Sequence, residues 1–123
     1  MRTIIAGSRQ FTDVRVFTLA MREIIMNKCL RITEVVSGTA KGADELGERW
    51  AIWTGVPCRR FRPQGKLYGK AAPFLRNEAM ANNADALIAF WDGNSRGTKH
   101  MISVARKLNL NVTVYNFITG EFS

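Results

Sequence analysis

The chain has 123 residues, 46% of them apolar and 23% charged, and carries a net charge of +8. That is the composition of a soluble globular chain with room for one core, which excludes a disordered chain, a collagen-like fibre and a disulfide mini-scaffold. No apolar run approaches the ~20 residues of a membrane span, and no secretory signal pattern opens the sequence, so a cytoplasmic location is expected.

Strand and helix signals alternate along the chain. Thr3 to Ala6 is a short apolar run ending at Gly7, a buried strand. Asp13 is placed to cap a helix whose inner face is Phe17, Ala20, Met21, Ile24 and Ile25. Glu34 to Ser37 forms the second strand and stops at Gly38. Ala43, Leu46, Trp50 and Ala51 mark the next helical face, ending near Gly55. Pro57 to Arg62 reads as a basic edge strand. Pro73 suits the first turn of a third helix, with Phe74, Leu75 and Met80 at core-like spacing. Ala86 to Trp91 is the strongest strand and the expected central one. Thr98, Met101, Ile102, Ala105 and Leu108 define the last helix, and Val112, Val114 and Tyr115 the last strand.

This alternation predicts an α/β fold: one Rossmann-like three-layer domain over residues 1–123, with about five mainly parallel strands and helices on both faces. Ligands in such sheets bind beyond the carboxyl ends of the strands.

The charge is unevenly placed. No acid stands between Glu48 and Glu78, where Arg49, Arg59, Arg60, Arg62, Lys66, Lys70 and Arg76 fall. None stands between Asp92 and Glu121, where Arg96, Lys99, Arg106 and Lys107 fall. Such fields attract phosphates, nucleotides or nucleic acid, and charge alone does not separate these partners.

Three strand-to-helix loops combine glycine, a hydroxyl and a cation: Gly7-Ser8-Arg9, the run from Ser37 to Asp44, and the run from Asp92 to Thr98. Free N–H groups at helix starts bind anions, and Ser8, Ser37, Thr39, Ser95 and Thr98 add hydroxyl donors. The loops therefore predict a phosphate-bearing ligand gripped by Gly7, Ser8, Arg9, Ser37, Gly38, Thr39, Gly42, Asp44, Ser95, Gly97 and Thr98. They match neither the dinucleotide fingerprint nor the P-loop. Arg76 is either a clamp for a phosphate or ribose or a solvated arginine, and Asn77 either reads a base edge, holds the neighbouring loop or acts as a cap. Trp91 either stacks on a base or closes the core. Asp44 and Asp92 either accept from ribose hydroxyls or cap helices.

His100 is the sole histidine and reads as an exposed residue rather than a base. Cys29 and Cys58 read as reduced thiols, one near a helix end and one in a strand. No spacing of ligating residues indicates a metal, and no cofactor is required.

The runs Gly7-Ser8-Arg9, Val36 to Asp44, Tyr68 to Pro73, Arg76 to Met80 and Ala89 to Thr98 resemble the SLOG superfamily, and more closely its small YspA/YpsA-like branch of bacteria and phages. The resemblance implies a Rossmann-like fold in a bacterial or phage-infected host cytosol. It implies a ligand derived from a nucleotide, and Gly7, Ser8, Arg9, Ser37, Gly38, Gly42, Asp44, Arg76, Asn77, Gly97 and Thr98 facing it. More distant relatives include Lonely Guy phosphoribohydrolases and DNA-processing protein A. The Lonely Guy motif carries a catalytic glutamate where this chain has Met101, and methionine neither stabilises an oxocarbenium-like centre nor activates water.

The expected function is therefore binding of a nucleotide-derived ligand, as sensor or sequestering module, with no confident catalytic residue. The first alternative is a nucleotide or N-glycosidic hydrolase using Arg76 with Asp44 or Asp92. The second is DNA binding of the DNA-processing protein A kind. A homo-oligomer is expected from the resemblance and from the frequency of symmetric dimers, with Trp53, Phe117 and Phe122 either contacts there or members of the core.

Overall fold

A six-stranded sheet in the order β3-β2-β1-β4-β5-β6 forms the centre of the computed structural model, which describes residues 1–123. The strands are β1 (Arg2–Gly7), β2 (Glu34–Ser37), β3 (Cys58–Arg60), β4 (Ala86–Trp91), β5 (Asn111–Asn116) and β6 (Glu121–Phe122). The first five pair in parallel and β6 runs antiparallel to β5. The helices are α1 (Val14–Lys28), α2 (Ala43–Thr54), the single turn α3 (Gly65–Tyr68), α4 (Ala72–Asn82) and α5 (Arg96–Lys107), with a 3₁₀ turn over Gly69–Ala71.

Side chains alternate across each strand, so the sheet supplies two cores. Ile5, Val35, Ile88 and Phe90 face α1 and α2, where Phe17, Met21, Ile24 and Leu46 cover them. Ile4, Ala6, Val36, Leu87, Ala89 and Val114 face α4 and α5, where Met80, Met101, Ile102 and Ala105 cover them. Ile4 pairs with Val36 on one side and Leu87 on the other, so one layer of apolar groups runs unbroken across the middle strands. Each fully buried Ile, Leu or Phe contributes about 1.5–3 kcal/mol, and the weight of this term falls on β1 and β4. Phe90 is fully buried, with its ring centroid 4.8 Å from that of Phe17 and 5.2 Å from that of Phe11.

The edges are kept short. β3 has three residues, two of them exposed arginines, and β6 has two; both devices discourage pairing with other chains. The Asp13 side chain accepts from Val16 N–H at 3.0 Å and fixes the start of α1. Cys29 closes α1 in the left-handed conformation, and both thiols are free.

Two expectations from spacing need correction. Phe74 and Leu75 are exposed rather than core, because α4 packs on the sheet through Met80 and Ala81 further along. Of the three residues left open between surface contact and core, Phe117 stacks on Phe11 at 4.6 Å and packs against the first core. Trp53 and Phe122 do stand exposed.

Candidate functional site

The strand order reverses between β1 and β4: the chain moves outward from β1 to β2 and β3, and from β4 to β5. The loops leaving β1 and β4 therefore part company, and a crevice opens beyond their carboxyl ends. It holds a cleft of about 570 Å³. The β1–α1 loop contributes Gly7, Ser8, Arg9 and Gln10; the β4–α5 loop contributes Asp92, Asn94, Ser95, Gly97 and Thr98. Asp44 with Ala40 closes one side, and Phe74, Arg76 and Asn77 of α4 close the other.

Three hydroxyls meet between the two main loops. Ser8 Oγ lies 3.0 Å from Ser95 Oγ, which donates to Thr98 Oγ1 at 3.3 Å. The Ser95 side chain does not cap α5. The amides of Gly97 and Thr98 lie in the first turn, where no intrahelical acceptor exists, and so they stay available at the positive end of the helix.

Asp44 is 4% exposed, and its Oδ2 accepts from Ala40 N–H at 3.2 Å. Burial pushes its carboxyl up to about 6, against the opposing pull of the Ala40 amide and of the nearby Arg76 guanidinium. Arg76 donates through Nη1 to the Gly38 carbonyl and through Nε to Asn77 Oδ1 at 3.0 Å. Its pKa is lowered chiefly by desolvation, against the pull of the Asp44 carboxylate and with a smaller contribution from the charge of Arg9.

Asn77 is buried and joins three parts of the site. Besides accepting from Arg76, it donates through Nδ2 toward Gly97 O at 3.3 Å and His100 Nδ1 at 3.1 Å. The latter bond places the imidazole proton on Nε2. His100 is accordingly half-buried and engaged, not the free exposed residue the sequence implies; burial lowers its pKa.

The second glycine-rich loop behaves differently from its appearance. Ser37 is fully buried; its Oγ donates to Glu48 Oε2 at 2.6 Å and accepts from Thr39 N–H at 3.1 Å. The Ala40 amide is held by Asp44 and the Ala43 amide by Ser8 O, so three of this loop's amides are committed within the protein. Ser37, Gly38, Thr39 and Gly42 do not line the cleft; they build its wall. A Cβ on Gly38 would stand 2.6 Å from Arg76 Nη1, so glycine there lets the guanidinium reach the backbone. Gly42 has φ +77° and meets the β1–α1 loop so closely that a Cβ would stand 2.5 Å from Ser8 O. Thr39 sits at φ +66°, a conformation β-branched residues rarely adopt.

Two further candidates are structural. Trp91 packs against the second core and donates from Nε1 to Ser95 O at 3.1 Å, so it buttresses the loop. Asp92 lines the cleft, but one of its oxygens accepts from the Asn94 and Ser95 amides, each at 2.8 Å. Those bonds hold its carboxyl below the usual range. Sequence reasoning missed Phe74, Asn94 and Gln10 as cleft residues. Asn94 lies inside a loop already singled out, whereas the position of Phe74 depends on how α4 lies across the sheet. Met101 also lines the cleft and is buried. No group of three or more His, Cys, Asp or Glu residues is placed to hold a metal ion, and no helix is long and apolar enough to cross a membrane.

A parallel sheet covered by helices on both faces, with a polar cleft where its strand order reverses, defines a Rossmann-like α/β protein. The chain belongs to the YspA, cpYpsA-related SLOG family, whose model matches residues 1–68. It is similar to the Gene 61 protein of Mycobacterium phage D29, with 33% identity over 118 residues that cover 90% of this chain and 93% of that one. Family membership suggests nucleotide-related binding or processing; the relative's name specifies no activity.

Proposed function

We propose that the cleft binds a nucleotide or nucleotide-derived ligand, with its phosphate at the start of α5. The observation that carries this reading is the convergence, at the reversal of strand order, of the unspent Gly97 and Thr98 amides with the Ser8, Ser95 and Thr98 hydroxyls. Arg9 and Arg76, which both line the cleft, add positive charge that suits an anion. A thermal-shift panel of ADP-ribose, NAD, AMP and cyclic dinucleotides tests the reading. A ligand at 100 times its dissociation constant adds about 2.7 kcal/mol, or roughly 10 °C for a chain of this length. No shift with any of them at millimolar concentration contradicts it.

Hydrolysis of an N-glycosidic bond is the second reading. It is favoured by Asp44, a buried carboxyl lining the cleft with its pKa near the working range of a general acid or base. Arg76 would stabilise charge on the departing group. Asp92 is a poorer candidate, since its carboxylate is already bound by loop amides. Chromatography after incubation with a nucleotide decides: turnover abolished by Asp44→Asn supports the reading, and intact nucleotide rejects it.

Two partner readings complete the proposal. Arg59, Arg62, Lys66 and Lys70 are exposed and form no salt bridge, an arrangement suited to a polynucleotide. A gel shift with single-stranded DNA that weakens steeply with salt would support it. Exposed Trp53 and Phe122 favour self-association, which light scattering reads directly.

A further inference from the structure

Most residues lining the cleft are polar or glycine, and of the large apolar ones Met80 and Met101 are buried whereas Phe74 stands at its side with 43% of its surface exposed. A lone exposed apolar side chain is ordinary; this one is held in place. Its ring meets His100 edge-on, with centroids 4.7 Å apart and planes at 83°. That contact covers at most one face of the phenyl ring. His100 is fixed in turn by Asn77 at 3.1 Å, and the same amide nitrogen of Asn77 reaches Gly97 O at 3.3 Å. Asn77 cannot rotate freely, because its Oδ1 takes the Nε proton of Arg76. A chain of contacts therefore runs from the start of α5 through Asn77 and His100 to an aromatic ring in the cleft lining, and it fixes the spacing between a phosphate end and an apolar end.

We propose that Phe74 is the platform on which the base of the bound nucleotide stacks, making the ligand class a nucleoside phosphate rather than a sugar phosphate or inorganic anion. The inference rests on the phosphate reading of the cleft given above and adds the base to it. A π-face accepts any base, so Phe74 gives affinity for nucleotides as a class, and base identity is read elsewhere or not at all. Asn77 and His100 act as positioning residues for the platform.

Isothermal titration calorimetry with ribose 5-phosphate and with the four ribonucleoside 5′-monophosphates tests it on wild type, Phe74→Ala and Phe74→Trp. Wild type is expected to bind at least one monophosphate more tightly than ribose 5-phosphate. Phe74→Ala should weaken that binding roughly 5- to 150-fold, the range for loss of one base–aromatic stack, and leave ribose 5-phosphate within twofold. Phe74→Trp should retain affinity, with tryptophan fluorescence quenched on binding. Because Phe74 is exposed, its replacement leaves both cores intact. If the monophosphates bind no better than ribose 5-phosphate, or bind Phe74→Ala as well as wild type, the platform is refuted while the phosphate site stands. If neither kind of ligand binds wild type, the phosphate reading fails and this inference fails with it.

Discussion

Replacing Asp44 by asparagine should make the protein more stable at neutral pH. The carboxyl is 4% exposed, and its pKa is raised from 3.8 to about 6, chiefly by burial. The folded form therefore keeps the proton to higher pH than the unfolded chain does. The stability linked to that proton is complete below the unfolded pKa and is lost as pH rises through the folded one. Each pKa unit is 1.36 kcal/mol, so this one group lowers stability by roughly 2–3 kcal/mol between pH 4 and pH 7. Asparagine retains an oxygen to accept from Ala40 N–H and has no charge to desolvate. Urea denaturation of wild type and Asp44→Asn, measured at half-unit steps from pH 4 to pH 7.5, checks this. The two should be close in stability at pH 4 and diverge in favour of Asp44→Asn, by roughly 2–3 kcal/mol at pH 7. Parallel profiles would refute the assignment of a raised carboxyl to this site. Confirmation would mark Asp44 as a residue that costs stability where it stands, which is common for groups in functional clefts.

Removing the guanidinium by Arg76→Gln takes away the favourable charge beside Asp44, so the Asp44 pKa should climb further; a ¹³C carboxyl NMR titration reads it, and an unchanged midpoint contradicts the pairing. Gly42→Ala forces a methyl against the carbonyls of Ser8 and Arg9 at φ +77°, and should destabilise by about 1–3 kcal/mol from backbone strain alone, seen as a fall in the urea midpoint. Phe90→Ala empties the centre of the Phe11–Phe17–Phe90 cluster and should cost about 3–5 kcal/mol in the same assay; a loss under 1 kcal/mol would mean the cluster is not the core described.

The parts of the fold that could be read in advance are those where burial imposes a pattern. Ala86 to Trp91 is apolar without alternation because β4 is covered on both faces. Phe17, Ala20, Met21 and Ile24 recur at helical spacing because one side of α1 meets the sheet. The turns α3 and 3₁₀ and the two-residue β6 follow no such pattern, since local bonds rather than a buried face define them. In the site, Gly7-Ser8-Arg9 and the Ser95–Thr98 run were legible from their chemistry, and the structure brings them together in one cleft. The Ser37–Asp44 run carries the same composition, but its Thr39 and Ala40 amides go to Ser37 and Asp44. Composition does not reveal which acids lie within reach of a loop's own amides. Phe74 was misassigned for a related reason: helical spacing gives the side of a helix, not whether that side meets a core or a cleft.

The most direct test of the account follows the backbone amides of ¹⁵N-labelled protein during titration with AMP. Saturable changes that are largest at Ser8, Arg9, Gly97 and Thr98 are predicted. Spectra that stay unchanged at millimolar AMP, or changes centred on the exposed basic stretch from Arg59 to Lys70, would contradict the claim that the cleft between β1 and β4 is where the ligand is held.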